Sequence, residues 1–412
     1  MNGFARSVQT SDKYKWFVLL LTTFTQMSIA FVGQGVGAIA PFLQSHFHLN
    51  HAQVGFAVSA NNFGIGLTAL FFGKLVDRFG EKKMMVLGGV MTGLSIFVAS
   101  LSTGYWMLLF LLVETGLWSG SATPAGSKAI FNYFPASSRG TAMGIRQMGI
   151  SAGAFLAALV LPVVTKAVTW NAAFDLAGTV AILANILYLL MYRQKQTIRS
   201  VNTVRGTETG KSKKSSLLHN TAIWYTSLAG TTFIGAQFAI ISYSQLFLHS
   251  QAGMSYHYTF YFLAAAQLAG MIGRVLWGTV SDAFFSSKRK PILFFIGVML
   301  AGLSLSMLTI SVKTPIWMLI LMFVLLGLAA MGWNGLWVTL VSELVDSSQS
   351  SSAVGTAVSI LQLGVLIFPV IFGYIVDSTG SYSISWVFIA CCVTAGLILL
   401  ARVKESSGES SV

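Results

Sequence analysis

Long apolar runs separated by short polar segments recur along almost the entire chain. The first run extends from Trp16 to Leu43, and similar runs follow at about 54–76, 84–101, 105–133, 140–165, 169–192, 221–249, 255–281, 291–311, 315–342, 353–376 and 384–403. A helix needs about 20 apolar residues to cross the roughly 30 Å hydrocarbon core of a bilayer. The pattern therefore predicts an all-α membrane protein with twelve transmembrane helices.

One polar interval is longer than the others and divides the twelve runs into six and six. Residues 193–220 read RQKQTIRSVNTVRGTETGKSKKSSLLHN, a basic stretch rich in Ser and Thr that lacks hydrophobic periodicity. This composition is typical of a solvated linker. We expect a six-helix bundle at 1–192, a cytoplasmic basic linker at 193–220 and a second six-helix bundle at 221–412.

The distribution of charge predicts how the chain is oriented. If the N-terminus is cytoplasmic, all of the 25 Lys and Arg residues lie in or beside cytoplasmic segments except Lys166 and Lys313. The positive-inside rule therefore predicts a multi-pass protein of the cell (inner) membrane with both termini in the cytoplasm. The same asymmetry, facing anionic lipid, accounts for the net charge of +13 without a nucleic-acid partner.

Two short motifs occur twice, at equivalent places in the two sets of six runs. GKLVDRFGEKK begins at Gly73 after the second run, and GTVSD begins at Gly278 after the eighth run and leads to the basic segment 288–290. GTAMGIRQMG begins at Gly140 and GTAVSILQLG begins at Gly355. Internal repeats of this kind are typical of carriers in which two bundles rock around a site near the middle of the membrane.

GKLVDRFGEKK resembles the G-x-L-x-D-R-x-G-x-[RK] signature of the major facilitator superfamily, and GTVSD is similar to the degenerate second copy of that signature. The resemblance implies two pseudo-symmetric six-helix bundles, a secondary transporter rather than an enzyme, and no cofactor. It also implies a conformational latch that holds the cytoplasmic face closed when the carrier is open outward. The latch residues are Gly73, Asp77, Arg78, Gly80, Gly278 and Asp282.

Charged side chains inside the runs are few, and each needs a reason because a charge at the centre of a membrane helix costs about 2.5–3.5 kcal/mol. Glu114 falls near the midplane, and Arg146 lies about 10 Å from the inner edge of the fifth run. We expect the two to meet across adjacent helices. Glu114 is then the candidate proton-coupling residue, whose protonation would free Arg146 for an anion. A static structural pair is the alternative.

Arg274 is a second candidate for binding an anion. The segment GRVLWGTVSD places Arg274, Gly278 and Asp282 four residues apart along one helix face. It resembles the helix-eight arginine of carboxylate-transporting members, such as oxalate:formate and monocarboxylate carriers, where that arginine binds the substrate anion. An arginine this near the cytoplasm can also snorkel to the interface. Lys128 is interpreted in the same two ways, as a snorkelling cation or as part of an anion exit path.

Uncharged polar side chains within the runs complete the candidate substrate-binding site, because amides donate and accept hydrogen bonds without carrying charge. Each amide is equally interpretable as a contact between helices. The candidates, with two tryptophans that would wall the cavity, are Gln34, Asn62, Gln147, Gln237, Gln267, Asn334, Gln362, Trp118 and Trp333. Gln26 and Asn61 are further polar residues within the runs.

Other chemistry is not supported by the sequence. His46, His48 and His51 lie in a predicted outer loop without a nearby acidic or cysteine partner, so we expect a solvated loop and no metal site. The nucleotide-binding pattern G-x-x-x-x-G-K-[ST] does not occur, so energy must come from an ion or solute gradient.

The sequence thus predicts a secondary active transporter that moves a small, carboxylate-like organic anion by alternating access, with a proton as the coupling ion. Its partners would be the solute, the proton and the lipid bilayer, and the protein would be a monomer. One alternative is a proton-driven exporter of drugs or amphipathic metabolites, although the Gly-Pro motif of drug:proton antiporters is missing from the fifth run. The other is a solute sensor that does not transport.

Overall fold

The computed structural model describes residues 12–194 and 220–405, and these residues form fifteen α-helices and one 3-10 turn. Most of the expected linker and both chain ends lie outside the described residues. The helices of the first half are α1 (Asp12–Ala38), α2 (Ala40–Phe47), α3 (His51–Phe79), α4 (Glu81–Ala99), α5 (Tyr105–Ser119), α6 (Ala122–Tyr133), α7 (Ala136–Ala167) and α8 (Trp170–Met191). Those of the second half are α9 (Thr221–Ala252), α10 (Tyr256–Phe284), α11 (Lys290–Ser306), α12 (Ile316–Gly332), α13 (Asn334–Glu343), α14 (Ser350–Thr379) and α15 (Tyr382–Ala401).

Within the described part of the chain, ten helical stretches are long enough and apolar enough to span a membrane. The consecutive helices α12 and α13 count as one of these stretches. The predicted seventh span is α9, which is 32 residues long but contains no stretch as continuously apolar as those in the ten. The predicted fourth span is divided into α5 and α6. Pro124 lies in the first turn of α6, where its missing N–H breaks no helical hydrogen bond, so the chain restarts a helix there after Gly120.

The helices alternate in direction and define two faces. One of these faces is called the basic face below. The helices α3, α6, α8, α10 and α13 end there, and α4, α7, α11 and α14 begin there. Lysine and arginine side chains within the described ranges lie at or toward this face, with the exceptions of Lys166 at the end of α7 and Lys313 before α12. The expected separation of charge between the two faces is therefore present in the fold.

The two halves touch through glycines of the repeated motifs, and each motif contacts the other kind of motif across the interface. A Cβ atom built on Gly73 of α3 would lie 2.5 Å from the carbonyl oxygen of Ser351 at the start of α14. A Cβ on Gly278 of α10 would lie 2.3 Å from the carbonyl oxygen of Gly140 near the start of α7. These backbone contacts are close enough to exclude any side chain, and they lie on the basic-face side of the interface.

Candidate functional site

Asp77 connects the end of α3 to the beginning of α14 in the other half. Its carboxylate accepts hydrogen bonds from the backbone N–H groups of Ser351 (3.3 Å) and Ser352 (2.7 Å) and from the Ser352 hydroxyl (2.6 Å). The first N–H groups of a helix have no partner within the helix, and the helix dipole favours an anion there. Because α14 has no side-chain cap of its own, Asp77 serves as its cap from across the interface.

Lys128 of α6 joins the same contact from the side. Its ammonium group donates to Asp77 Oδ1 at 3.0 Å and to the carbonyl oxygen of Ser347, and it lies 3.4 Å from the Ser350 hydroxyl. The side chain is buried, so it neither snorkels to an interface nor lies on an open path in this conformation. Lys128 is not one of the latch residues predicted from the sequence.

Asp282 makes the corresponding contact from α10 to α7. It accepts hydrogen bonds from the backbone N–H of Thr141 at 2.7 Å and from the Thr141 hydroxyl at 2.8 Å. It also forms an ion pair with Arg289, whose side chain is fully buried. The Arg289 guanidinium donates in addition to the carbonyl oxygen of Ala136, in the other half, at 2.7 Å.

A second ion pair extends this contact. Glu343, at the end of α13, lies 3.3 Å from Arg289 Nε and 3.6 Å from Arg139 Nη1 of the other half. Arg139 also stacks over the Phe131 ring, with its guanidinium carbon 3.8 Å from the ring centroid. Arg289, Glu343 and Arg139 were not among the sequence candidates. Arg289 lies in the basic segment that follows GTVSD, and Glu343 and Arg139 lie outside the repeated motifs.

The remaining predicted latch residues have simpler surroundings. Arg78 is exposed and lies over the ring of Phe79, 5.2 Å from its centroid, rather than reaching the other half. Gly80 joins α3 to α4 with a φ of 93°, a conformation that favours glycine.

Arg274 lies where α10 meets α7 and α12, and it is 5% exposed. Its Nε donates to the carbonyl oxygen of Met331 at 3.1 Å, and its Nη1 donates to the carbonyl oxygen of Gln147. Within the described residues it has no carboxylate partner. Arg274 is therefore a buried cation whose protein partners are neutral and which belongs to one half but bonds to both.

Arg146 is fully buried in the first half, and the expected pairing with Glu114 is not found. Its guanidinium donates to Gln26 Oε1 of α1 and to the carbonyl oxygen of Ala122 of α6, the latter at 2.7 Å. Glu114 instead accepts a hydrogen bond from Trp118 Nε1, one turn along α5, at 2.9 Å. The physical reason is the break in the fourth span, because Glu114 lies before it whereas Arg146 packs against α6 beyond it.

The candidate amides differ in their surroundings: some are hydrogen-bonded, one has a buried oxygen without a protein partner, and two are exposed. Asn334 donates to Gln237 Oε1 at 3.2 Å, and Gln362 donates across the interface to the carbonyl oxygen of Asn62 at 3.2 Å. The Oε1 atom of Gln147 is buried without a protein partner. Gln34 and Gln267 are exposed.

The two candidate tryptophans differ in burial. Trp333 is fully buried between the rings of Phe233 and Trp337, so it belongs to the core of the second half rather than to an accessible surface. Trp118 is half-buried, and its ring centroid is 6.1 Å from that of Phe72.

The histidine-rich segment does not gather metal ligands. The His46 ring packs against Trp170, at 5.4 Å between centroids, and against Phe47. Across residues 12–194 and 220–405, no group of three or more His, Cys, Asp or Glu side chains is arranged to hold a metal ion.

Two helical halves that are joined at one face through helix-end carboxylates, with buried arginines near their interface, are the arrangement of a membrane carrier. The profile of the Major Facilitator Superfamily matches residues 19–333 and 285–411, and the chain belongs to this superfamily. The predicted fold and the prediction of a multi-pass membrane transporter, not an enzyme, are confirmed.

Individual relatives are distant but extend over most of the chain. The chain is 22% identical over 387 residues to a hexuronate transporter of Bacillus subtilis, covering 90% of each protein. It is 22% identical over 394 residues to a probable sulfoacetate transporter, SauU, of Cupriavidus necator, covering 90% of this chain and 89% of the relative. The solved proton:xylose symporter XylE shares the fold, with a TM-score of 0.78 and 16% identity over 97% of this chain and 98% of the symporter.

Proposed function

We propose that this transporter carries a small, carboxylate-like organic anion together with a proton, and that Arg274 is its main anion-binding group. The observation that supports the proposal is the burial of Arg274 with only carbonyl oxygens as partners. A buried charge without an ion pair is expensive, because carbonyl dipoles replace its hydration only in part. An incoming anion would supply the missing counter-charge.

The position of Arg274 suits a group that both binds and couples. Its bond to Gln147 crosses from the second half to the first, so an anion that draws Arg274 away from that carbonyl would weaken one contact between the halves. Ligand binding shifts a conformational equilibrium only through such differences in contacts between states. We infer that further residues belong to or support the same binding region: Arg146, Gln147, Gln237, Asn334, Gln362, Asn62, Gln34, Gln267 and Trp118.

The relatives support the chemical class. Hexuronate and sulfoacetate, named for two of them, are both organic anions. The name of XylE gives a proton as the coupling ion in a carrier of this fold. We infer that the basic face is cytoplasmic and that the present contacts at Asp77 and Asp282 hold it closed, with access from the opposite face.

Ligand-dependent thermal stabilisation of the purified protein tests the anion class. Carboxylates, sulfonates, neutral sugars and lipophilic cations would be compared in the wild type, in Arg274→Ala and in Lys313→Ala, a cation at the opposite face that serves as control. We expect stabilisation by one or more anions that is lost in Arg274→Ala and retained in Lys313→Ala. Stabilisation by lipophilic cations alone would refute the proposal and favour an exporter.

Transport is then measured with the stabilising anion in liposomes that carry an imposed pH gradient. We expect accumulation that collapses when the gradient is dissipated. Binding without any flux would indicate a sensor instead of a carrier. Flux that is indifferent to the pH gradient would remove the proton from the proposal and leave the anion.

A further inference from the structure

The chain folds back onto the start of α11 after α15 ends. The segment that does so, residues 402–405, is called the strap below. Glu405 Oε1 in the strap accepts hydrogen bonds from the backbone N–H groups of Arg289 at 2.6 Å and Lys290 at 2.9 Å. The first N–H groups of a helix have no partner within it, and the helix dipole favours an anion there. Because α11 has no side-chain cap from its own first residues, Glu405 serves as its cap.

The strap is held in return by the helix that it caps. The Lys290 ammonium group donates to the carbonyl oxygens of Ala401 and Val403, each at 2.7 Å. Carbonyl oxygens at a helix end lack partners within the helix, and a cation is favoured there. The Val403 side chain is 1% exposed and belongs to the hydrophobic core. The strap is therefore fixed to the second half by a carboxylate, by an ammonium group and by a buried apolar side chain.

The strap holds the backbone of the residue whose side chain joins the two halves. Arg289 precedes the first residue of α11, and its guanidinium forms ion pairs with Asp282 and Glu343. The same guanidinium donates to the Ala136 carbonyl oxygen of the first half. A side chain reaches several partners at once only if its backbone is held in place, so it needs supporting contacts. Glu405 provides such a contact for Arg289.

The first half has a similar fold-back without this connection. Gln194, which follows α8, contacts Glu81, the first residue of α4, with 3.5 Å between Nε2 and Oε2. The other partners of Glu81 in the described residues are Asn132 and Tyr192, and all three partners belong to the first half. Arg289, in contrast, bonds to both halves. Within the described ranges, the strap is thus the one fold-back that is linked to the contact between the halves.

We propose that the strap is a conformational device: by fixing Arg289 it holds the basic face closed, and its release from α11 favours the open basic face. The strap thereby adds an element outside both repeated motifs to the contacts at Asp77 and Asp282. The proposal rests on the proposed closing role of the Asp282 contact, and it depends neither on the solute nor on the coupling ion.

The direction of the effect follows from the state that the strap supports. A contact shifts a conformational equilibrium only as far as it differs between the two states. The cap on α11 can persist in both states, because α11 and the strap belong to the same half. The bond from Arg289 to Ala136 of the first half exists only while the halves touch. Loosening the backbone of Arg289 therefore destabilises the closed state and leaves the open state almost unaffected.

Hydrogen–deuterium exchange of the purified, full-length protein separates the cap from the closure. Backbone N–H groups exchange faster where their hydrogen bonds open more often. Exchange at the start of α11 reports on the cap by Glu405. Exchange at Thr141 reports on the closure, because the Thr141 N–H donates to Asp282. In Glu405→Ala we expect exchange to rise several-fold at both places.

Two controls separate this effect from a general loosening of the protein. Lys404→Ala removes an exposed cation beside Glu405 and should leave both exchange rates at their wild-type values. The Ala172 N–H, capped by Thr169 at the opposite face, should exchange in Glu405→Ala as it does in the wild type. Faster exchange at the start of α11 without a change at Thr141 would make Glu405 a helix cap only and overturn the proposal. An equal rise at Ala172 would contradict it as well.

Lys290→Met removes the bonds that hold the strap from the other side and serves as a second variant. Exchange at Thr141 should rise by less than in Glu405→Ala, because the carboxylate cap remains. Wild-type exchange at Thr141 in both variants would show that the strap does not act on the closure. No solute is needed for these measurements, so the strap and the proposed anion transport fail separately.

Discussion

Lys128 and Glu343 lie at equivalent positions of the two halves and carry opposite charges. Each lies twelve residues before the glycine that opens the second repeated motif, Gly140 or Gly355. Lys128 bonds directly to Asp77, whereas Glu343 reaches Asp282 through Arg289. The two interface contacts are therefore built alike but differ in their charges. At Asp77 the residue at the equivalent position is a cation that pairs with the carboxylate directly, whereas at Asp282 it is a second carboxylate, and Arg289 pairs with both.

This difference predicts unequal effects of neutralising the two residues. In Lys128→Met, Asp77 keeps its bonds to the start of α14, so the loss is that of the charged bonds made by one ammonium group, about 1.5–3 kcal/mol. Glu343→Gln removes the ion pairs of Glu343 with Arg139 across the interface and with Arg289, but Arg289 keeps Asp282. Because the Glu343 side chain is partly exposed and a Gln oxygen can still accept from both arginines, we expect a loss of about 1 kcal/mol.

Spin labels at Lys83 and Phe285, both exposed at the basic face of different halves, measure the outcome. The distance distribution should shift toward an open basic face strongly in Lys128→Met and weakly in Glu343→Gln. A larger shift in Glu343→Gln would show that the closure at Asp282 dominates.

Close backbone contact at Gly73 predicts that a single methyl group disturbs the closure. A Cβ there would lie 2.5 Å from the Ser351 carbonyl oxygen and 2.9 Å from the Ser352 Cα, both backbone atoms that cannot rotate away. Overpacking of this kind costs about 1–3 kcal/mol. We therefore expect Gly73→Ala to increase several-fold the labelling of a cysteine that is introduced at the basic face, in place of Lys83 or Phe285. Gly302→Ala, at a position with no atom within 4 Å of the new Cβ, is the matched control and should leave labelling unchanged.

The features that the sequence predicts are those marked by hydropathy or by a repeated motif. Hydropathy predicted the spans, and the repeated motifs predicted the residues Gly73, Asp77 and Asp282, which the structure brings to the interface. Arg289 was missed because it follows the turn after α10, where no periodic pattern marks a partner. The expected meeting of Glu114 and Arg146 assumed one continuous fourth helix, and the break before Pro124 separates the two residues.

We expect replacement of Arg289 to lower the stability of the protein strongly. It is fully buried and bonds to Ser281, Asp282, Glu343 and the Ala136 carbonyl oxygen. In Arg289→Met the Asp282 carboxylate loses its ion-pair partner, and breaking a buried pair from one side costs about 3–5 kcal/mol. The melting temperature in detergent should fall clearly.

A double variant separates the lost pair from lost packing. Arg289→Met with Asp282→Asn should be more stable than Arg289→Met alone, because no unpaired carboxylate remains. The neighbouring Lys288→Met changes an exposed cation and should stay within about 0.5 kcal/mol of the wild type. Equal losses in Arg289→Met and the double variant would attribute the effect to packing.

The variant Glu114→Gln tests proton coupling separately from the stability of the fold. Gln at this position is nearly isosteric and keeps an oxygen that accepts from Trp118 Nε1, so the helix end before the break retains its hydrogen bond. Since no ion pair to Glu114 is present in the described residues, Glu114→Gln should leave the melting temperature almost unchanged. If Glu114 carries the coupled proton, the same variant should lose pH-driven accumulation in liposomes and keep exchange of anion across the bilayer. Accumulation at the wild-type level would assign the coupled proton to another group.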